Sequence, residues 1–327
     1  MSLITMGMML TGLVLLVIGA EALVRGASRI AVFLGISPLI VGLTVVAYGT
    51  SAPEMAVSVM SSLKGQADIS LGNVVGSNIF NVLLILGVSA LAAPLVVSRQ
   101  LIRIDVPIMI GMSVFMFFLA WDGRVSQGEG FVLIAGAVVY TGLQIFLARR
   151  ENHKTVQTNG TSSYAIKKGS RWRQWLMNLS YIGFGLVLLM AGSHFLVKSA
   201  VILAQWLGVS ELIIGLTIVA AGTSLPELAT SVMASFHGER DIAVGNVVGS
   251  NIFNILAVLG ISAAFSDSGV AVADQALKFD IPVMIAAAVA CLPIFFTGHR
   301  ISRWEGVLFL SYYGIYTAYL ILMTRGH

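Results

Sequence analysis

The sequence predicts an all-α integral membrane protein with ten membrane-spanning helices, arranged as two inverted repeats of five helices each. Hydrophobic residues make up 57% of the 327 residues and charged residues only 10%, whereas soluble domains carry about 25% charged residues. Apolar stretches of about 20 residues, the length that crosses a bilayer, recur along the chain. In addition, the second half repeats long motifs of the first half.

Ten apolar stretches are long enough to span a bilayer. The first has no basic residue before it and contains the acidic Glu21 near its end, so it is interpreted as a membrane helix and not as a cleaved signal peptide. The predicted spans are 3–24, 38–62, 70–92, 104–121, 129–148, 176–200, 210–236, 243–265, 280–297 and 304–324.

The only long polar stretch, from Ala148 to Trp175, separates the spans into two groups of five. We therefore expect a first repeat over residues 1–150, a linker over 151–174 and a second repeat over 175–327. The net charge is +4, but the basic residues cluster between apolar stretches. That pattern is typical of membrane topology and does not indicate nucleic-acid binding.

Two motif pairs establish an internal duplication. The stretch GLTVVAYGTSAPEMAVSV (Gly42–Val59) matches GLTIVAAGTSLPELATSV (Gly215–Val232) at 13 of 18 positions. The stretch GNVVGSNIFN recurs identically at Gly72–Asn81 and Gly245–Asn254. Both pairs have the same offset of 173 residues.

Five spans per repeat put the two halves in opposite orientations across the membrane. With the linker in the cytoplasm, 14 of the 19 Lys and Arg residues lie on the cytoplasmic side and 5 on the other, as the positive-inside rule requires. Both chain termini are then expected outside. Inverted repeats of this kind are typical of secondary transporters, whose binding site lies near the bilayer midplane on interrupted helices.

Each GTS-x-PE motif predicts a broken helix with polar groups on one face. Pro53 cannot donate a hydrogen bond to the Gly49 carbonyl, and Pro226 has the same effect on Gly222. Helical spacing puts Ala47, Thr50, Ser51, Glu54 and Ser58 on one face. The counterparts in the second half are Ala220, Thr223, Ser224, Glu227 and Ser231.

Together the motifs supply carboxylates, hydroxyls, amide oxygens and freed carbonyls. An all-oxygen set suits hard cations such as Ca²⁺, Mg²⁺ or Na⁺ and does not suit zinc or copper. A bound cation or a proton would offset the insertion of two glutamates, at about 2.5–3.5 kcal/mol each. The alternatives are helix-bonded hydroxyls at the Thr and Ser positions and interhelical hydrogen bonds at Asn73, Asn78, Asn246 and Asn251. Asn81 and Asn254 are expected to be site residues.

These paired motifs, in a five-plus-five arrangement over the whole chain, resemble the Ca²⁺/cation antiporter superfamily and most of all its prokaryotic sodium/calcium exchanger branch. The resemblance implies ten helices with alternating access to a central group of cation sites, in which the first and sixth helices slide against the rest. It implies acidic Ca²⁺ ligands at Glu54 and Glu227. It further implies ligands at Ala47, Thr50, Ser51, Ser77, Asn81, Ala220, Thr223, Ser224 and Ser250, with the alanines and threonines contributing main-chain carbonyls. Asn254 stands where several members carry aspartate.

The expected function is therefore antiport of Ca²⁺ against Na⁺, without a cofactor and without catalysis of a reaction. Coupling to H⁺, or another divalent cargo such as Mn²⁺ or Mg²⁺, stays open at this stage, because glutamate can bind a proton as well as Na⁺. A passive channel is a weaker alternative, and no paired aspartates, H-E-x-x-H motif or Ser/His dyad favours an intramembrane enzyme. The short linker and compact length indicate a prokaryotic inner membrane, while the oligomeric state is left open.

Overall fold

Helices account for nearly all of the part of the chain that the computed structural model describes, which comprises residues 3–64, 67–158, 171–207 and 220–325. In the first half the helices are α1 (Leu3–Leu34), α2 (Pro38–Thr50), α3 (Ala52–Leu63), α4 (Ile69–Ala92), α5 (Leu101–Leu119) and α6 (Gln127–Thr158). In the second half they are α7 (Arg171–Trp206), α8 (Ala220–Thr223), α9 (Leu225–Phe236), α10 (Arg240–Ala264), α11 (Ala276–Phe296) and α12 (Arg303–Arg325).

The predicted all-α membrane fold is confirmed. Within the described ranges, eight helices are long and apolar enough to cross a membrane, and the bent pair α2–α3 makes a ninth. The predicted span 210–236 begins in residues outside the described ranges, so the tenth span stays a prediction. The first and sixth predicted spans are too short, because α1 extends over 32 residues and α7 over 36.

The helices that carry the repeated GNVVGSNIFN motif lie at the centre of the molecule. Every residue of α10 from Ile242 to Phe253 is buried. By contrast, the outer helices expose large apolar side chains, for example Phe131 and Val139 on α6 and Phe184 on α7. This distribution is the one expected in a bilayer, since lipid tails solvate apolar side chains while polar side chains need partners inside the protein.

The two long helices α1 and α7 cross closely at glycines. A Cβ atom at Gly19 would lie 2.8 Å from the main-chain nitrogen of Leu189, and one at Gly185 would lie 2.7 Å from that of Leu23. Gly12 and Gly192 make the same kind of reciprocal contact, with each hypothetical Cβ 2.8–2.9 Å from the carbonyl oxygen of the other glycine. Small residues at such crossings are the usual means by which membrane helices approach each other.

Two short antiparallel strand pairs connect the halves outside the helices. Strand β1 (Leu95–Val96) pairs with β4 (Arg300–Ile301), and β2 (Arg124–Val125) pairs with β3 (Val270–Ala271). In each pair one strand belongs to the first half and the other to the second. Each strand pair therefore joins a connection of the first half to a connection of the second half.

Candidate cation-binding site

The two glutamates of the repeated motifs are fully buried, and each is held by the opposite half of the chain. Glu54 lies in the first turn of α3 and Glu227 in the first turn of α9, and both are 0% exposed. Ser224 donates a hydrogen bond to Oε1 of Glu54 at 2.9 Å, and Ser51 donates to Oε1 of Glu227 at 2.9 Å. The predicted juxtaposition of the two carboxylate motifs is therefore present in the fold.

The helix interruptions fall at the serines that make these bonds. Helices α2 and α3 meet at an angle of 44°, and Ser51 between them has φ −79° and ψ 6°. Ser224, between α8 and α9, has φ −87° and ψ 7°. Each break comes two residues before the proline, which lies in the first turn of the next helix, where its missing N–H is tolerated.

The proline also frees a carbonyl, and α7 uses it in the second half. Ser193 on α7 donates a hydrogen bond to the main-chain oxygen of Gly222 at 2.5 Å. Sequence reasoning predicted that this carbonyl would be freed but missed its partner, since Ser193 lies outside both repeated motifs. The bond connects a long outer helix directly to the broken helix.

Asn73 and Asn246 form the frame that supports the glutamates. Asn73 donates to the main-chain oxygen of Glu54 at 3.2 Å and to Ser58 Oγ at 2.9 Å. Its counterpart Asn246 donates to the main-chain oxygen of Glu227 at 3.3 Å and to Ser231 Oγ at 3.0 Å. The interpretation of these two asparagines as interhelical bonding groups agrees with the structure.

The threonine hydroxyls also bond within the protein. Thr50 Oγ1 donates to Oδ1 of Asn246 at 3.1 Å and lies 3.1 Å from the Val46 carbonyl. Thr223 Oγ1 donates to Oδ1 of Asn73 at 3.3 Å. This leaves the main-chain carbonyls of the threonines as the groups that could face a cation.

Several buried side-chain oxygens of the predicted ligand residues have no hydrogen-bond partner among the described residues. They come from both halves and include carboxylate, amide and hydroxyl oxygens. They are Oε2 of Glu54, Oε2 of Glu227, Oδ1 of Asn81, Oδ1 of Asn254 and Oγ of Ser250. A buried acceptor without a donor is costly unless something positive occupies the space beside it. A hard cation satisfies such a set, because it accepts only oxygen ligands.

Two asparagines begin wide helical turns beside the site. The segments Phe80–Ile85 and Asn254–Leu259 are π-helical, and Asn81 and Asn254 lie at their starts. Single π-helical turns occur frequently at functional sites, because they leave main-chain groups unpaired and shift side chains around the helix axis. Ser77 lies one turn before Asn81, and its Oγ lies 3.1 Å from Oγ of Ser224.

The structure describes the two predicted alanine ligands in less detail than the other predicted ligands. Ala47 is fully buried on α2, and a Cβ at Gly249 of α10 would lie 2.8 Å from the Ala47 Cβ. Ala220 is the first residue of α8, and its side chain lies outside the described part of the structure. Their predicted role is main-chain coordination, which does not depend on the side chain.

No basic side chain neutralises the two glutamates. The ion pairs among the described residues join Glu21 to Arg25, Glu21 to His237 and Asp274 to Lys278. The amino-terminal position of each glutamate in its helix stabilises the negative charge only in part. When the two glutamates are ionised, their negative charge is therefore available to a cation.

Equivalent residues around the site differ in exposure between the two halves. Asn73 and Thr223 are partly exposed, whereas the equivalent Asn246 and Thr50 are fully buried. Gly72 is exposed, but a Cβ at its counterpart Gly245 would lie 2.9 Å from the Leu39 carbonyl. Helix α2 packs on α10 beside Gly245, whereas residues 211–219, which are equivalent to residues 38–46 of α2, lie outside the described ranges.

A third buried carboxylate escaped the sequence reasoning. Asp105 is 0% exposed and accepts hydrogen bonds from Gln144 Nε2 at 2.6 Å and from the Tyr140 hydroxyl at 3.1 Å. In the second half, Asp280 accepts from the Tyr316 hydroxyl at 3.0 Å. The signal was an aspartate at the start of the fourth and ninth apolar spans, but the hydrogen-bond partners of these aspartates are not predicted site residues.

Comparison with known proteins agrees with this geometry. The chain matches the family described as sodium/calcium exchanger protein over residues 4–146 and 177–322. It is 40% identical over 304 residues to a protein named putative antiporter CaxA of Alkalimonas amylolytica, covering 92% of this chain and 93% of that protein. It is 36% identical over 348 residues to the sodium/calcium exchanger MaX1 of Methanosarcina acetivorans, covering 96% and 97% of the two chains.

Solved structures agree as well. The sodium-calcium exchanger NCX_Mj, studied for extracellular ion exchange and soaked without Na⁺ and Ca²⁺, superposes with a TM-score of 0.82 at 30% identity. That superposition covers 98% of this chain and all of the other. The buried pair of glutamates, the interrupted helices and these similarities show that the chain belongs to the sodium/calcium exchanger family of membrane antiporters.

Proposed function

We propose that this chain is a secondary active antiporter that exchanges Ca²⁺ for Na⁺ across the membrane by alternating access. The observation that carries the proposal is that each buried glutamate is bonded by the serine of the other half, while Oε2 of both glutamates has no partner among the described residues. Ca²⁺ takes 6–8 oxygen ligands, a number that side chains and main-chain carbonyls reach only together. The names of the relatives support the choice of Na⁺ and Ca²⁺.

The proposed ligands divide by chemical type. The carboxylates of Glu54 and Glu227 supply the negative charge, and the remaining groups supply neutral oxygens. These neutral ligands are the hydroxyls of Ser51, Ser77, Ser224 and Ser250, the amide oxygens of Asn81 and Asn254, and the main-chain oxygens of Ala47, Thr50, Ala220 and Thr223.

Charge balance couples the two ions. Two ionised glutamates neutralise one Ca²⁺, and Na⁺ ions entering the same oxygens can replace it. An empty site would hold two negative charges in a medium where each costs about 2.5–3.5 kcal/mol. Conversion between the two access states is therefore favoured only with the site loaded, and this requirement produces exchange instead of leak.

The moving parts are proposed to be α1 and α7, sliding as a pair. The glycines at their crossings allow the two helices to pack closely against each other. The Ser193 bond to the Gly222 carbonyl connects that pair to a broken helix of the site. A shift of α7 would thus act directly on the main chain beside Thr223 and Ser224.

The decisive test is Ca²⁺ uptake by proteoliposomes that contain the purified protein. One set carries an outward Na⁺ gradient and a second an outward H⁺ gradient, and each is repeated with a Glu54→Gln/Glu227→Gln variant. Asp274→Asn is a matched control, because it removes an exposed carboxylate from a connection outside the spans. Uptake that requires Na⁺, survives in Asp274→Asn and disappears in the double variant is the expected result.

The other outcomes separate the alternatives. Uptake driven by H⁺ alone would assign the chain to proton-coupled Ca²⁺ exchange. Currents far above transporter turnover would indicate a channel. No gradient-driven Ca²⁺ uptake by folded protein would contradict the proposed cargo and leave Mn²⁺ or Mg²⁺ to be tried.

We also propose an inner-membrane location with both termini outside and the linker 151–174 in the cytoplasm between repeats 1–150 and 175–327. A relative of 36% identity is named inner membrane protein YrbG of Escherichia coli, and the family matches the chain in two segments on either side of the linker. Single cysteines at Ser2 and Ser163, in a Cys291→Ala background, test the topology. An impermeant thiol reagent added to whole cells should label only the first.

A further inference from the structure

Asn78 and Asn251, one in each GSN triplet, bond across the interface between α4 and α10. Asn78 Nδ2 donates to the main-chain oxygen of Asn251 at 3.2 Å, and Asn251 Nδ2 donates to the main-chain oxygen of Asn78 at 3.4 Å. Both side chains are 2% exposed. Neither belongs to the proposed ligand set.

A main-chain carbonyl can only accept a hydrogen bond, so these two contacts determine how each amide is oriented. The amino group of Asn78 must face the Asn251 carbonyl, and the side-chain oxygen of Asn78 must therefore face the other way. The same argument applies to Asn251. Each residue thus presents a fixed acceptor, Oδ1, on the side that faces a neighbouring asparagine.

That acceptor in turn orients the asparagines of the site. Asn81 Nδ2 donates to Oδ1 of Asn251 at 3.0 Å, and Asn254 Nδ2 donates to Oδ1 of Asn78 at 3.1 Å. With their amino groups occupied, Asn81 and Asn254 direct their own Oδ1 atoms away from these partners. Those two oxygens are the buried, unpartnered amide oxygens of the site.

We infer that Asn78 and Asn251 are positioning residues that hold Asn254 and Asn81 with the oxygen, and not the amino group, toward the cation. The inference rests on the proposed function. An Asn81 or Asn254 amide turned by half a rotation would direct an N–H donor at the cation, so one ligand would be replaced by a repulsive group. The pair therefore determines cation affinity without contacting the ion.

The test compares two isosteric variants of Asn251 in Na⁺-driven Ca²⁺ uptake. Asn251→Asp retains an acceptor for Asn81 but loses the donor to the Asn78 carbonyl, whereas Asn251→Leu loses both. Losing one well-oriented neutral ligand should raise the KM for Ca²⁺ roughly tenfold in Asn251→Leu. The KM should rise less in Asn251→Asp than in Asn251→Leu, because the acceptor for Asn81 is retained, and kcat should change little in either.

A double-mutant cycle with Asn81→Ala shows whether the effect passes through Asn81. In the Asn81→Ala background, Asn251→Leu should no longer raise KM. If Asn251→Leu does not fold, the reciprocal pair Asn78→Leu and Asn78→Asp, combined with Asn254→Ala, makes the same comparison in the other half.

Each outcome decides one point. Equal KM changes in the Leu and Asp variants, or additive effects with Asn81→Ala, would overturn the positioning role and leave the ligand assignment standing. An unchanged KM in Asn81→Ala alone would overturn the ligand role of Asn81 and, with it, the inference for Asn251. Wild-type protein without saturable Ca²⁺ uptake would overturn both the proposed function and the inference.

Discussion

At the scale of single residues, Glu54 and Glu227 combine two conflicting properties. They are fully buried, and in each of them one carboxylate oxygen has no partner in the described structure. A charge held in this way destabilises the empty protein, because desolvation is not repaid by a counter-charge. Function and stability therefore make opposite demands on the same two side chains.

Replacing one of these glutamates by glutamine should therefore stabilise the ion-free protein while removing its response to Ca²⁺. Wild-type protein at a Ca²⁺ concentration about a hundredfold above Kd should gain about 2.7 kcal/mol, which raises Tm. Glu54→Gln and Glu227→Gln should show a higher Tm without Ca²⁺ and little further increase with it. A full Ca²⁺-dependent shift in either variant would show that the replaced carboxylate is not a ligand.

Asp105 is a buried carboxylate of a different kind, since hydrogen-bond donors from Gln144 and Tyr140 face it. Gln144→Leu should lower the free energy of unfolding by about 1–3 kcal/mol, because a buried acceptor loses its shortest bond. The KM for Ca²⁺ should not change. Thermal unfolding and uptake measured on the same preparation test this prediction, and a large KM change would instead place Asp105 in the transport path.

At the scale of helices, each GTS-x-PE motif interrupts its own helix, and a serine of the opposite half bonds its glutamate. Pro53 and Pro226 interrupt helical hydrogen bonding, and Ser51 and Ser224 lie at the breaks. Each serine then bonds the glutamate of the other motif. The local irregularity is tolerated at membrane depth because it is buried in protein.

The crossing of α1 and α7 gives a prediction at this scale. Gly19→Ala or Gly185→Ala would place a Cβ within 2.7–2.8 Å of the facing main chain, and such overpacking costs about 1–3 kcal/mol. Both variants should lower Tm and slow Ca²⁺ uptake, because the helices must move apart. Gly183→Ala on the exposed face of α7 is the matched control, and an equal loss in that variant would contradict the packing argument.

At the scale of the whole molecule, the two halves exchange the same set of bonds but differ in accessibility. The cross-half contacts of Ser51, Thr50 and Asn78 recur with Ser224, Thr223 and Asn251. Nevertheless Thr223 is partly exposed and Thr50 is fully buried. The contacts between the halves are therefore symmetric, while the exposure of the equivalent threonines is not.

Cysteines at these two threonines should therefore react differently. In a Cys291→Ala background, Thr223→Cys should be labelled by a small thiol reagent from one side of the membrane, and Ca²⁺ should protect it. Thr50→Cys is the equivalent position in the other half, and it should react much more slowly from that side. Equal labelling of both cysteines from the same side would contradict the difference in exposure between the two threonines.

The sequence predicted the fold class and brought the candidate residues into two motifs. Low charge, repeated apolar stretches and the 173-residue offset were enough for this. The ends of the helices were less predictable: α1 continues to Leu34, past the expected end at residue 24. The apolar stretch marks the part of a helix that crosses the bilayer, and it does not mark where the helix ends beyond it.

The role of each asparagine also depends on the tertiary structure and cannot be read from the motif. The identical repeats contain Asn73, Asn78 and Asn81, which are equally polar and lie on one helix. Only tertiary packing assigns their roles: the packing of α4 against α3 joins Asn73 to Glu54, and its packing against the second half joins Asn78 and Asn81 to Asn251. The difference arises from which donor or acceptor each side chain meets.

By itself, therefore, the sequence determined a duplicated membrane protein with buried carboxylates on broken helices, because hydropathy, proline and repeated motifs act locally. The tertiary structure alone decided that each half holds the glutamate of the other and that Asn251 and Asn78 orient the amides of Asn81 and Asn254. Those properties depend on hydrogen-bond direction and on helix contacts between residues more than 140 positions apart, and no local pattern in the chain specifies them.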